Sequence, residues 1–82
     1  MELKIGQIVK SRAGHDKGDL AVIAGFDKDK VLVCDGKHRP LERPKRKNSK
    51  HIEATEMFLD EDSMATNRKL RKTLNKIANP RG

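Results

Sequence analysis

The chain has 82 residues, enough for one small domain with a modest hydrophobic core. Its hydrophobic fraction of 34% lies below the roughly 45–50% of average globular domains. A net charge of +7 predicts a polyanionic partner, either nucleic acid or an anionic membrane surface. The absence of a long apolar run argues against a membrane span or a secretory signal. A single cysteine, Cys34, allows no internal disulfide and favours the cytoplasm.

Residues 5–55 contain short runs of β-forming residues separated by turns, which predicts a mainly β unit. The glycines of the loop 13–18 can supply positive φ values. Pro40 and Pro44 lack an N–H, so the segment around them is expected at a sheet edge. Five short strands without an intervening helix favour a small barrel. The strands are expected at 8–12, 19–26, 31–34, 39–41 and 51–55.

The C-terminal segment has helical periodicity, which predicts a basic amphipathic helix within residues 63–79. Ser63 or Thr66 can serve as its N-cap, and Asn79 followed by Pro80 ends the pattern. A helix of this length is marginal alone, so it is expected to pack on the β unit or on a partner. The apolar positions of one face are Leu70, Leu74, Ile77 and Ala78.

Charge is distributed in blocks along the chain. Residues 31–52 carry seven Lys or Arg against two acids, residues 53–62 carry five acids and no base, and residues 63–82 carry six bases and no acid. Surfaces that serve only solubility usually mix the two signs. The blocks therefore predict two basic contact surfaces that flank an acidic stretch, which could fold back onto one of them.

Residues 6–23 (GQIVKSRAGHDKGDLAVI) resemble the KOW motif, a strand, a basic loop with glycine and a second strand. Gly14 stands at the characteristic glycine of the motif, and Lys17-Gly18 matches its basic residue followed by glycine. Residues 31–53 (VLVCDGKHRPLERPKRKNSKHIE) are similar to the second half of one KOW subgroup. That subgroup comprises archaeal and eukaryotic large-subunit ribosomal proteins and a small bacterial protein with a ribosomal-protein-like KOW domain. The stretch 56–62 has no counterpart in it.

The resemblance implies an SH3-like five-stranded barrel, so the expected organisation is a KOW barrel at 1–55, an acidic connector at 56–62 and a basic helix at 63–79. It also implies a non-catalytic protein that binds RNA, expected to be rRNA of the large subunit, and that is monomeric when free. Lysine and arginine would neutralise phosphates and release counterions, so the expected readout is of RNA backbone and shape. The residues expected to contact RNA are Arg12, Gly14, His15, Lys17, Gly18, Lys37, Arg39, Arg43, Lys45, Arg46, Lys47, Lys50, His51, Arg68, Lys69, Arg71 and Lys72.

Aromatic residues are scarce, which argues against base stacking. Phe26 is expected in the core, and Phe58 is expected to pack on the barrel. Cys34 is expected to be a buried small hydrophobic residue rather than a nucleophile. The three histidines and one cysteine lack the paired spacing of a zinc site, so no metal, cofactor or enzymatic activity is expected.

Two alternative functions remain. A transcription elongation or antitermination factor could also carry a KOW unit, although such factors usually place an α/β domain before it. A protein-interaction adaptor could use the apolar face of the C-terminal helix, if Leu70, Leu74 and Ile77 are exposed rather than packed.

Overall fold

A computed structural model of the chain describes residues 2–15 and 17–79. It contains five antiparallel strands and one helix. The elements are β1 (Gln7–Ser11), β2 (Leu20–Asp27), β3 (Lys30–Cys34), β4 (Lys45–Asn48), a 3-10 turn (Ser49–His51), β5 (Ile52–Phe58) and α1 (Asn67–Ala78).

The strands form a single sheet in the order β4-β3-β2-β1-β5. The first four strands form a meander, and the last strand returns to pair with the first through contacts such as Val9 opposite Ala54. The sheet stays open, with β4 and β5 as its edges among the described residues. The prediction of a mainly β fold with a C-terminal helix is confirmed, whereas the closed barrel is not what the structure contains.

The fourth strand lies at Lys45–Asn48, so its prediction at 39–41 is wrong. One carboxylate oxygen of Asp35 accepts hydrogen bonds from the backbone N–H groups of Lys37 and Arg39, each at 2.9 Å. The Pro40 carbonyl then accepts one from the N–H of Arg43 at 3.0 Å. These two turns use the backbone groups that a strand would need, and β4 begins directly after Pro44.

The central strands are buried on both faces, because neighbouring residues belong to different clusters. Ile8 and Val22 belong to a cluster that faces α1. Val9 and Ile23 belong to a second cluster on the other face, with Val31, Val33 and Ile52. Fully burying one such aliphatic side chain contributes about 1.5–3 kcal/mol, so both clusters matter to a chain this small.

Helix α1 packs on the sheet through its apolar face. Leu70 and Leu74 are buried in the first cluster, and Ile77 packs against it. Thr66, one of the two predicted N-caps, accepts a hydrogen bond from the Lys69 N–H at 3.1 Å. The side chain of Asn67 accepts from the Leu41 N–H at 2.7 Å, which ties the helix start to the loop before β4. The apolar face is therefore occupied by the chain itself.

Both phenylalanines lie outside the core, and for Phe26 this contradicts the prediction. Phe26 is 48% exposed, and Phe58 is 52% exposed. A bulge between Ile23 and Gly25 breaks the alternation of β2, and the strand continues past the start of β1. Phe26 therefore pairs only with Val31 on β3, at an end of the sheet that the helix does not cover.

β5 reaches Phe58 and so includes Glu56, Met57 and Phe58, which were predicted to belong to the connector 56–62. In the described ranges, the one helix is too short and too polar to cross a membrane.

We expect Gly36→Ala to destabilise the fold more than Gly18→Ala. Both glycines have positive φ, +81° and +92°, so each substitution carries a left-handed strain of about 1–2 kcal/mol. Only at position 36 would the new methyl group also collide with backbone, since it would overlap the Asn67 carbonyl oxygen and lie 3.0 Å from the Arg71 nitrogen. Urea unfolding of both variants measures the difference, and equal losses would contradict this helix packing.

Cys34 is fully buried, as predicted, and burial together with the nearby Asp35 and Glu42 raises its pKa to about 11. The native thiol should therefore resist iodoacetamide at pH 8.

The buried thiol also makes the free energy of unfolding depend on pH. Because the thiol of the unfolded chain ionises near pH 9, the contribution of the protonated Cys34 to that free energy is complete below pH 9 and is lost as the pH rises toward 11. Urea unfolding at pH 7, 9 and 10 should show that the free energy of unfolding falls more with pH for the parent protein than for Cys34→Ala. Equal decreases in the two proteins would contradict a contribution from this thiol.

Candidate nucleic-acid interface

The loop between β1 and β2 is a tight turn that exposes basic side chains. The Gly18 N–H donates to the Ser11 carbonyl at 2.9 Å, and the Ser11 N–H donates to the Asp19 carbonyl at 3.0 Å. Gly14 and Gly18 have φ values of +87° and +92°, as the sequence predicts for these glycines. The side chains of His15 and Lys17 are exposed at the loop. The loop can therefore present both charge and unobstructed backbone to a ligand.

This loop lies beside the 3-10 turn before β5. The Arg12 N–H donates to the His51 carbonyl at 2.8 Å, and Ser11 pairs with Ile52 in the sheet. The fold thus brings Arg12 and Gly14 next to Lys50 and His51, although nearly forty residues separate them in the sequence. A shallow depression, here called the basic groove, is lined by Ala13, Gly14, Asp27, Lys28, Asp29, Lys30, Lys45, Arg46, Lys47, Asn48 and His51.

Lys28 and Lys30 belong to the basic groove, although they were not among the predicted contacts. They lie in a turn that alternates acid and base, so its net charge is zero and the sequence indicated only a polar turn. The pairing of Lys30 with Asn48 places this turn beside β4. Arg46 also donates to the Asp27 carboxylate at 2.9 Å, an exposed ion pair that screens part of the groove's charge.

Lys47 was predicted to contact RNA, but the structure leaves Lys47 only 9% exposed. It lies opposite Val31 in the sheet, and its ammonium donates to the Ser11 hydroxyl. The Ser11 hydroxyl in turn donates to the Ala13 carbonyl at 3.0 Å. Lys47 therefore supports the loop from below, whereas Arg46, its neighbour on β4, faces solvent.

The predicted contacts before β4 lie in a different part of the surface. Lys37 and His38 line a second depression with Gly18 and Arg71, between the 35–39 turn and α1. Arg39 lines a small cavity that also includes Lys47. Arg43 is exposed in the turn before β4. Residues 37–50 are thus divided between two surfaces instead of forming a single line.

The basic side chains of α1 are also divided. Arg71 faces the second depression, whereas Lys69 and Lys72 line a separate depression with Asp62. Lys69 forms an exposed ion pair with Asp62 at 2.9 Å. Arg68 is exposed near the start of the helix.

The acidic stretch makes limited contact with the basic residues. Asp62 pairs with Lys69, while Asp60 accepts a hydrogen bond from the Ser63 N–H at 2.8 Å. Hydrogen bonds from the Ser63 backbone and side chain hold the pKa of the Asp60 carboxyl below its usual value. These are local turn contacts, and they leave the basic groove uncovered by this stretch.

Residues 2–15 and 17–79 contain no group of three or more His, Cys, Asp or Glu side chains placed to hold a metal ion. No protein-family model matches the chain, and no curated protein is significantly similar to it.

We expect Lys47→Met to loosen the loop that Lys47 supports. Removing the ammonium leaves the Ser11 hydroxyl without this donor, so the amides of residues 12–15 should exchange hydrogen faster. Arg46→Met is the matched control, because its side chain lies outside this contact. Hydrogen exchange followed by mass spectrometry measures the change, and equal protection of the loop in the two variants would contradict the supporting role.

Proposed function

We propose that this chain is a non-catalytic KOW-type RNA-binding protein of the cytoplasm that associates with the ribosome, through rRNA of the large subunit. The sheet order supports an SH3-like relationship, because a meander whose fifth strand returns to the first is the order expected of such a barrel. A short 3-10 turn between β4 and β5 agrees with it. The ribosomal association rests on the resemblance of residues 6–23 and 31–53 to the KOW subgroup.

The observation that carries the RNA-binding proposal is the junction between the loop and the 3-10 turn. It places Arg12, Lys17 and Lys50 close to one end of the basic groove, and Lys45 and Arg46 along its β4 side. A charged surface drawn from separate segments can neutralise several phosphates along one backbone. Arginine can hold a phosphate with two parallel N–H donors, while lysine acts as a mobile point charge.

The readout proposed is of backbone and shape. Phe26 and Phe58, the only aromatic residues, lie at the end of β1 that is opposite the basic loop. Asp27, the neighbour of Phe26, lines the basic groove, but neither phenylalanine does. RNA held in the basic groove would therefore contact lysine, arginine and backbone N–H groups, without an aromatic platform for its bases.

The environment of Cys34 supports the non-catalytic part of the proposal. Its thiol is buried, and its raised pKa keeps it protonated at neutral pH. A nucleophilic cysteine requires a thiolate that a substrate can reach. The adaptor alternative loses its main feature, because Leu70 and Leu74 pack against the sheet.

We expect a triple variant, Lys17→Ala, Lys45→Ala and Arg46→Ala, to bind a short RNA duplex more weakly and with a shallower salt dependence. Each lost phosphate contact should reduce the slope of log K against log salt by about one. A control triple, Lys4→Ala, Lys10→Ala and Lys76→Ala, removes the same charge from exposed positions outside the groove. Filter binding at several salt concentrations provides the slopes.

The same variants test the ribosomal association by co-sedimentation with purified large subunits. The parent protein and the control triple should sediment with the subunits, and the groove triple should remain in the supernatant. Equal salt dependence of RNA binding in the groove triple variant and the control triple variant would contradict the groove as the binding site. Binding of the parent protein to RNA polymerase rather than to large subunits would favour the elongation-factor alternative.

A further inference from the structure

Four large apolar side chains are exposed at one end of the sheet. Ile5 is 61% exposed, Phe26 48%, Met57 46% and Phe58 52%. They include both aromatic residues of a chain whose buried clusters consist of aliphatic side chains and one cysteine. Monomeric proteins rarely place their large apolar residues together on the surface without an interaction partner.

Backbone pairing brings Ile5, Met57 and Phe58 close together, and Phe26 lies at the same end of the sheet, past the start of β1. Phe58 lies opposite Gln7, and the Leu59 N–H donates to the Gly6 carbonyl at 2.8 Å. The Gly6 N–H donates to the Ile23 carbonyl at 2.8 Å, so Gly6, the neighbour of Ile5, lies between the end of β5 and β2. We call this region the apolar end; it consists of Ile5, Phe26, Met57 and Phe58.

Acidic side chains border the apolar end on the side of β5. Residues 53–62 carry five acids and no base, in a chain of net charge +7. Glu56 and Glu61 are exposed and form no ion pair with another described residue, whereas Glu53 lies opposite Lys10 near the other end of β5. RNA phosphates would be repelled here, whereas a cationic ligand would be attracted.

We propose that the apolar end and the nearby acids Glu56 and Glu61 form a docking surface for a cationic protein segment with apolar side chains. The apolar residues of that segment would cover Phe58 and Met57, and its lysines or arginines would face Glu56 and Glu61. A second copy of this chain is disfavoured as the occupant, because two such surfaces would bring their acids together. Glu56, Met57, Phe58 and Glu61 are not among the residues that line the basic groove, so the proposal does not depend on RNA binding.

Docking is expected to use side chains rather than strand addition. β5 is an edge strand, but its pairing with β1 is irregular between Gln7 and Val9. The polar groups of Thr55 are also hydrogen-bonded within the chain. Its hydroxyl donates to the Ile8 carbonyl at 2.7 Å, and its carbonyl accepts from the Gln7 side chain at 2.9 Å. Irregular edges of this kind discourage a further strand.

The test titrates the full chain with a synthetic 14-residue peptide of lysine, leucine and alanine, with leucines at helical spacing. Two matched peptides replace either all lysines by glutamate or all leucines by serine. Amide resonances locate each peptide on the chain. We expect the first peptide to shift the signals around residues 5, 26 and 56–61 and to bind at least about tenfold more tightly than either control.

Two variants assign the binding to this surface. Phe58→Ser removes an apolar contact, and Glu56→Lys reverses a charge at an exposed position; each should weaken binding of the cationic peptide at least about tenfold. Asp19→Lys is the matched control, because it makes the same charge change beside the basic loop and should leave the affinity unchanged. RNA binding by Phe58→Ser should equal that of the parent protein, which separates this proposal from the preceding one.

Several outcomes would overturn the proposal. They are equal affinity for the serine-substituted peptide, peptide shifts confined to other surfaces, or unchanged affinity in both variants. Shifts of the Phe58 region by single-stranded oligouridine would instead identify a base-stacking surface. Loss of these signals with rising protein concentration, together with a dimer in sedimentation equilibrium, would identify a second copy as the occupant.

Discussion

The packing of α1 against one face of the sheet is the contact on which the rest of the structure depends. Strands β1 and β2 have apolar residues on both faces, and residues of the sheet itself, Val31, Val33 and Ile52, pack on one of them. Leu70 and Leu74 cover the other. Gly36 allows the helix to approach the 35–39 turn closely, and Asn67 hydrogen-bonds to the N–H of Leu41 in the following loop. A helix that is marginal alone is thereby held by the sheet that it completes.

This arrangement separates the surface into regions of different charge. The helix occupies one face, so the basic residues collect around the β1–β2 loop, the β4 edge and the exposed sides of α1. The apolar end and Glu56 lie away from the basic loop, at the start of β1. On the two proposals above, RNA would occupy the basic groove and a cationic protein segment would occupy the apolar end.

The sequence analysis correctly located four of the five strands to within a few residues, because their β-branched runs are bounded by glycines and polar turns. It failed at 39–41, where the Asp35 carboxylate captures two backbone N–H groups and replaces strand pairing by a turn. It also failed for Phe26, since a bulge reverses the alternation of β2 and the strand extends past the start of β1. Side-chain capture and bulges depend on contacts that periodicity does not encode.

By itself, the sequence determined the element types, the positive φ at Gly14 and Gly18, the two N-cap candidates Ser63 and Thr66 and the block pattern of charge, because each depends on local chemistry or on composition. Only the tertiary structure decided that Lys47 lies beneath the loop while Arg46 faces solvent, that Lys28 and Lys30 join the basic groove, and that both phenylalanines are exposed. Those features depend on which strands become edges and on how far each extends, and long-range pairing alone decides both.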